Sequence, residues 1–266
     1  LKNQTFSFHS IILFFFWSFH NQQKQLLSLI MLGFISDLHL EPLDNERTQA
    51  FYNFLEEVSQ KYESLYILGD LFEYWIGDDD DSSVILQIKQ SLYRLSQKGV
   101  GLFFIHGNRD FLIGDKFASE SNVKILDDMD VINFYGKKIM LSHGDAFCTD
   151  DVDYQKFKLE TRNSSWINSF LQKPLDERLS IANDMRSRSK SASSNKPENI
   201  MDTNSKAILD CIKNNEIDIL IHGHTHRPEI KTFEDGSIKV VLGSWEDKGW
   251  VFEYSPEHFE LRSFVI

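Results

Sequence analysis

The chain has 266 residues, enough for one large domain, or a domain with an insertion, around a substantial core. Its net charge of −12 argues against a nonspecific nucleic-acid surface. Two cysteines, Cys148 and Cys211, lack CxxC or zinc spacing; they exclude a disulfide scaffold and fit reduced thiols of a cytosolic protein.

Residues 1 to 30 differ from the rest of the chain. Ile11 to Phe19 is apolar apart from Ser18, but it is far shorter than the roughly 20 residues a spanning helix needs. The polar Asn-Gln-Gln-Lys-Gln that comes next offers no small-residue cleavage site. Residues 1–30 read as a non-core extension from an upstream start, with a membrane-contacting helix as the alternative. The main domain is expected over 31–266.

Five apolar runs then end in chemistry-bearing clusters. Phe34-Ile35 leads into Ser-Asp-Leu-His at Ser36 to His39, and Leu65 to Leu68 into Gly69-Asp70. Leu102 to Ile105 leads into His-Gly-Asn-Arg-Asp at His106 to Asp110, and Ile139 to Leu141 into Ser-His-Gly-Asp at Ser142 to Asp145. Ile217 to Ile221 leads into His-Gly-His-Thr-His at His222 to His226. Each run reads as a short buried strand broken by glycine or polar residues, and open α/β sheets bind ligands at the carboxyl ends of strands. Asp37 and His39 are two apart, so extended backbone continuing past Ile35 would send both side chains to one side. His224 and His226 repeat that spacing.

Any one cluster alone reads as a cap, a surface feature or a hydrogen-bonded core histidine. Five in this order, holding six of the nine histidines, read as a binuclear metal site. The donors are carboxylate, carboxamide and imidazole with no thiolate. That set points to Mn, Fe, Co or Zn, with Mn the first choice.

Between Asp151 and about Lys206 the strand pattern gives way to helical spacing. Trp166, Ile167, Phe170 and Leu171 form one apolar stripe, and Leu175, Leu179 and Ala182 continue at i, i+4 and i+7. Pro174 breaks or starts a helix there. Val152 to Lys206 carries ten Lys/Arg against seven Asp/Glu, a basic and apolar segment beside an acidic body. Its Ser-rich run from Arg186 to Lys196 reads, taken alone, as a flexible linker.

From Met31 to the C-terminus, these motifs resemble the calcineurin-type metallophosphoesterases. The longer strings Gly69 to Asp79, His106 to Gly114, Ser142 to Asp151 and His222 to Pro228 closely resemble the UDP-2,3-diacylglucosamine hydrolase family. The resemblance implies an α/β sandwich of two mixed β-sheets flanked by helices, with a helical lid inserted at about 152–206. It implies cleavage of the diphosphate of UDP-2,3-diacylglucosamine to 2,3-diacylglucosamine 1-phosphate and UMP by a two-metal-activated hydroxide, a step of lipid A biosynthesis. By matched positions, Asp37, His39 and His226 hold one divalent metal, Asn108, His143 and His224 the other, and Asp70 bridges them. The implied catalytic set is Asp37, His39, Asp70, Asn108, Arg109 and His143. Implied substrate contacts are Asn108, Arg109, Asp151, Ser189, Ser193, Lys196 and His224, with Arg186 a further phosphate partner. Two positions depart from the family pattern: relatives often carry Asn where this chain has Ser193, and Gly-Asp-Trp where it has Gly243-Ser244-Trp245.

Arg109 stands where many metallophosphoesterases carry His. Arginine cannot act as an acid near neutral pH, but it can clamp phosphate bidentately. A departing phosphate monoester has a second pKa of about 6 and needs little protonation, so Arg109 favours diphosphate over phosphodiester cleavage. A structural pairing with Asp110 is the plainer reading. The implied setting is the cytoplasmic face of a Gram-negative inner membrane, as a peripheral protein, with no nucleic acid and no obligate protein partner. A phosphodiesterase, nuclease or protein phosphatase shares the metal core, and a non-catalytic scaffold shares the fold. All seven ligand positions are filled, which favours catalysis.

Overall fold

The structure, a computed structural model, describes residues 30–41, 45–194, 197 and 200–266, without the side chains of 190 and 192–194. The N-terminal stretch read as an extension lies outside these residues up to position 29. Strands β1 (Leu32–Ile35), β2 (Ser64–Leu68), β3 (Gly101–Ile105) and β4 (Lys124–Leu126) run parallel. Two antiparallel strands, β10 (Lys248–Ser255) and β11 (His258–Val265), complete a six-stranded sheet on the far side of β1, in the order β11-β10-β1-β2-β3-β4.

The second sheet has β5 (Asp130–Phe134), β6 (Lys137–Ser142), β7 (Ile219–His222), β9 (Ile238–Val241) and β8 (Glu229–Thr232) in that order. Its three middle strands are parallel and its two outer pairs antiparallel. The expected sandwich of two mixed sheets is therefore what forms.

Alternation along the strands builds the layers. Leu32, Phe34, Tyr66 and Leu68 point toward the second sheet and meet Ile139, Leu141, Ile219, Ile221 and Val240. Ile35, Leu65 and Ile67 point the other way, into a core shared with helices α1 (Glu46–Lys61), α2 (Ser83–Gln97) and α3 (Asp115–Ser121). Met140 and Leu220 turn outward onto Ile208 and Ile212 of α7 (Ser205–Asn215). Each fully buried side chain of this kind contributes about 1.5–3 kcal/mol. Burial on both faces of β1 and β2 is why their sequences are continuous apolar runs.

Helices α4 (Val152–Thr161), α5 (Ser164–Leu171) and α6 (Leu175–Ser194) occupy the segment expected to be helical. Asp151 and Asn163 cap α4 and α5 by accepting the backbone N–H groups of Tyr154 and Trp166. Pro174 stands just before α6, where its carbonyl accepts from Arg178 N at 3.0 Å. Trp166 stacks on Phe170 at 4.9 Å, and Phe170 is buried in the helix-side core. The expected stripes hold only in part. Leu171 and Leu175 are exposed, whereas Arg178 is buried, because its guanidinium binds the Ile76 carbonyl and the Asp79 carboxylate, each at 2.7 Å.

Candidate metal centre

Beyond Ile35 the backbone does not stay extended. Asp37 and His39 have φ of 55° and 50°, Asp70 has 52°, and His224 and His226 have 68° and 56°. The expectation that Asp37 and His39 share a side through strand geometry is therefore overturned. Left-handed turns aim these side chains, at about 1–2 kcal/mol each for a residue with a Cβ, and tertiary hydrogen bonds hold them there. Asp37 N donates to Gly69 O at 3.1 Å, His39 N to Asp70 O at 3.0 Å and Trp245 N to Asp37 O at 3.0 Å. Two glycines let the loops close. A Cβ on Gly107 would fall 2.0 Å from Asp70 Oδ1, and one on Gly223 would fall 2.2 Å from Asp37 Oδ2.

The side chains converge in two adjoining groups. In the first, His226 Nε2 lies 3.3 Å from both Asp37 Oδ1 and His39 Nε2. In the second, His143 Nε2 lies 3.0 Å from Asn108 Oδ1 and 3.2 Å from His224 Nδ1. Asp70 sits between them, its Oδ2 3.9 Å from His39 Nε2 and 3.8 Å from His143 Nε2. The other ring nitrogens are anchored away from the centre: His143 Nδ1 is 2.9 Å from Leu68 O, and His39 Nδ1 is 2.8 Å from Glu73. That leaves both Nε2 atoms facing inward, as metal-binding histidines require.

Electrostatics match a cation site. Burial alone would raise the Asp37 carboxyl, but the proximity of His226, His143 and His39 outweighs it and holds the group below the usual carboxylate range. Burial would lower His143, yet Asp70, Asp37 and Asp145 raise it to about 9. His224 is pushed down to about 4 by burial and the neighbouring His143. Imidazoles borrowing charge from buried carboxylates mark a place where positive charge is wanted. Asp37 Oδ1 is buried without an aligned hydrogen bond. Oxygen and imidazole donors with no thiolate fit a divalent cation of the Mn, Fe, Co or Zn kind.

The remaining expected contacts divide. Arg109 donates its backbone N–H to Asp70 Oδ1 at 2.8 Å, and its Nε is buried without a hydrogen-bond partner among the described residues. Asp110 does not pair with it, because that carboxylate instead accepts the N–H groups of Gly107, Leu71 and Asp70 at 2.9, 2.7 and 3.2 Å. Asp151 is buried at the start of α4. Arg186 meets Glu73 at 2.6 Å, and Ser189 is exposed one turn further along α6. Ser193 lies on α6 with its side chain outside the described set, and Lys196 lies outside the described residues.

The calcineurin-like phosphoesterase family profile matches residues 30–228. UDP-2,3-diacylglucosamine hydrolases of Yersinia pseudotuberculosis serotype O:1b (strain IP 31758) and Yersinia pestis bv. Antiqua (strain Angola) are 44% identical over 234 residues, covering 87% of this chain and 98% of each relative. The chain belongs to the calcineurin-like phosphoesterase family. Among solved structures, an archaeal phosphodiesterase superposes with a TM-score of 0.47 at 13% identity, over 89% of this chain and 100% of that one.

Several residues of this phosphoesterase centre have roles that the motifs alone do not specify. Glu73 carries His39 and Arg186 on one carboxylate; its only signal was an acidic side chain three residues after Asp70. Asp110 ties the Asp70 and Gly107 loops together. Asp145 gathers Tyr154, Lys158 and Arg162 from α4 and its C-terminal cap, at 2.5, 3.0 and 3.2 Å. Trp245, to which the sequence assigned no chemistry, pins Asp37 while its indole is fully buried against Phe51, Phe54 and Phe264. His106 and His222 turn away onto the Ile113 and Gly223 carbonyls. Both described cysteines are free, and burial drives the Cys148 thiol up to about 12, in keeping with packing rather than reactivity.

Proposed function

We propose that this chain hydrolyses the diphosphate bond of UDP-2,3-diacylglucosamine, releasing 2,3-diacylglucosamine 1-phosphate and UMP in lipid A biosynthesis. The observation that carries this reading is the 44% identity to hydrolases of that name, over 98% of their length. The two-group geometry supports it. The closest donor pairs, 3.0–3.3 Å apart, suit coordination shells with metal–ligand bonds of about 2.1 Å, whose edges run roughly 3.0–3.5 Å.

In this reading Asp37, His39 and His226 would hold one cation and Asn108, His143 and His224 the other, with Asp70 shared between them. Mn2+ suits their hard oxygen and nitrogen donors. When bound, such a pair activates water and neutralises charge on the phosphoryl oxygens. The chain supplies the rest. Arg109, whose buried Nε has no hydrogen-bond partner among the described residues, clamps phosphate in place and leaves the departing monoester unprotonated. Asn108 and His224 orient the diphosphate beside it. Arg186 and Ser189 fall at i and i+3 on α6 and share one helix face, which supports a substrate-binding role for them, and Asp151, Ser193 and Lys196 join them as contacts in this reading.

Residues 152–206 act as the cap of a domain spanning 31–266. Val152, Phe157, Leu159, Leu171 and Leu175 expose apolar surface on its helices, and this surface shelters acyl chains. Among the described residues no helix is long and apolar enough to cross a membrane. A peripheral place on the cytoplasmic face of a Gram-negative inner membrane fits the lipid substrate. The test is hydrolysis of UDP-2,3-diacylglucosamine with Mn2+ in ¹⁸O-labelled water. Release of UMP carrying the label is expected; no turnover, alongside rapid cleavage of a simple phosphodiester, would replace this reading with a phosphodiesterase.

A further inference from the structure

We propose that Glu73 is a positioning residue for one metal site and that Arg186 makes it a relay from helix α6 to that site, a role that rests on the metal-centre reading. Glu73 is only 8% exposed, and its backbone N–H donates to Leu40 O at 3.0 Å, which fixes it beside the loop carrying Asp37 and His39. Its two carboxylate oxygens serve different elements. Oε2 lies 2.8 Å from His39 Nδ1, and Oε1 lies 2.6 Å from Arg186 Nε.

The first contact decides how His39 can be used. With Nδ1 2.8 Å from a carboxylate, an ion-pair contact rather than an aligned hydrogen bond, the ring is turned so that Nε2 faces Asp37, Asp70 and His226. The second contact decides how firmly Glu73 itself is held. A buried carboxylate requires charged or hydrogen-bonding partners, and here one of them sits on a helix of the segment proposed as the cap.

Arg186 and Arg178 both reach from α6 to the 73–79 stretch, Arg178 to Ile76 and Asp79. They are eight residues apart on the helix, about 12 Å. The stretch just after Asp70 is thus also the seat of α6. Seating of the helix and affinity of the Asp37/His39/His226 site are therefore linked, and the linkage is reciprocal: a cation at that site steadies α6, and a seated α6 tightens the site.

The test measures Mn2+ binding by calorimetry and electron paramagnetic resonance, without substrate, in the full chain. Glu73→Gln should weaken one of two Mn2+ sites roughly ten- to a hundredfold and leave the other unchanged, with Glu73→Asp recovering part of the loss. Arg186 is half-exposed, so Arg186→Ala should fold normally and weaken the same site about fivefold, the low end of site-to-site coupling. Hydrogen exchange in α6 should slow on adding Mn2+ to the wild type and stop responding in Arg186→Ala. Two wild-type-strength sites in Glu73→Gln would overturn the relay alone. Equal weakening of both sites in Glu73→Gln and Glu73→Asp would reduce Glu73 to a structural role. A wild-type chain that binds no Mn2+ would remove the metal reading and the relay with it.

Discussion

The loops that carry the candidate ligands and the helices α4–α6 beside them are held by different physics. Asp37, Asp70 and His143 are almost wholly buried, on backbone fixed by hydrogen bonds between loops at the ends of β1, β2 and β6. The helices expose Val152 and Leu159 at 71% and 76% and are attached by a small set of anchors: Asp145 to α4, Phe170 in the core, Arg178 to Asp79 and Arg186 to Glu73. A buried frame tolerates no displacement of a ligand, while a clamped cover can loosen without the sheets unfolding. Chemistry and substrate fit should therefore separate in variants.

The strongest test is removal of a ligand from the frame. Asp70→Ala or His39→Ala should cut turnover about a thousandfold or more, roughly 4 kcal/mol of transition-state stabilisation, with the circular-dichroism spectrum unchanged. Initial rates at saturating Mn2+ would show this, and near-wild-type rates would break the comparison on its frame side. Arg109→Ala comes next, with a loss of about a hundredfold, the scale of one charge-stabilising donor. Arg109→His should not restore the rate; recovery with a new basic limb in the pH–rate profile would mean that acid catalysis matters.

On the cover side, a diacyl substrate should outperform deacylated UDP-glucosamine in kcat/KM, since each buried methylene is worth about 0.8 kcal/mol. Trp166→Ala and Leu171→Ala should narrow that gap, and equal kcat/KM for the two substrates would deny the helices any part in lipid binding. The smallest effect concerns the Asp79 clamp. Arg178 holds the Asp79 carboxyl below the usual carboxylate range, so the clamp is complete above about pH 4, the ordinary Asp value, and is lost as pH falls through the lower folded value. Hydrogen exchange should show α6 loosening in that acid range before β2 or β6 does. Asp79→Asn should already be loose at neutral pH and should lack that acid response.

Much of the frame was legible because its signals are local. Short continuous apolar runs such as Leu65 to Leu68, bounded by glycine and polar residues, read as strands buried on both faces, and the ligand types sit directly after them. What could not be read was the backbone at Asp37, His39 and Asp70. Nothing in Asp-x-His specifies a left-handed turn; that conformation is imposed by Gly69 O, Asp70 O and the distant Trp245 N–H. The cover was harder for a related reason. Apolar spacing pointed to Leu175, which is exposed, whereas α6 is seated by Arg178 and Arg186 together with Ile181, and charge clamps leave no periodicity to detect.

The bond from Trp245 N–H to the Asp37 carbonyl has a consequence for the order in which the centre is made. The first ligand is synthesised well before Trp245, the residue that fixes its turn, and β1 lies between β2 and the later strand β10. His224 and His226 are translated late as well. At about 5–20 residues per second on the ribosome, the nascent chain spends many seconds with Asp37, His39 and Asp70 made but unframed. Cation loading therefore belongs after Trp245 has been made and has docked, and ribosome-bound fragments that stop short of it should take up Mn2+ weakly.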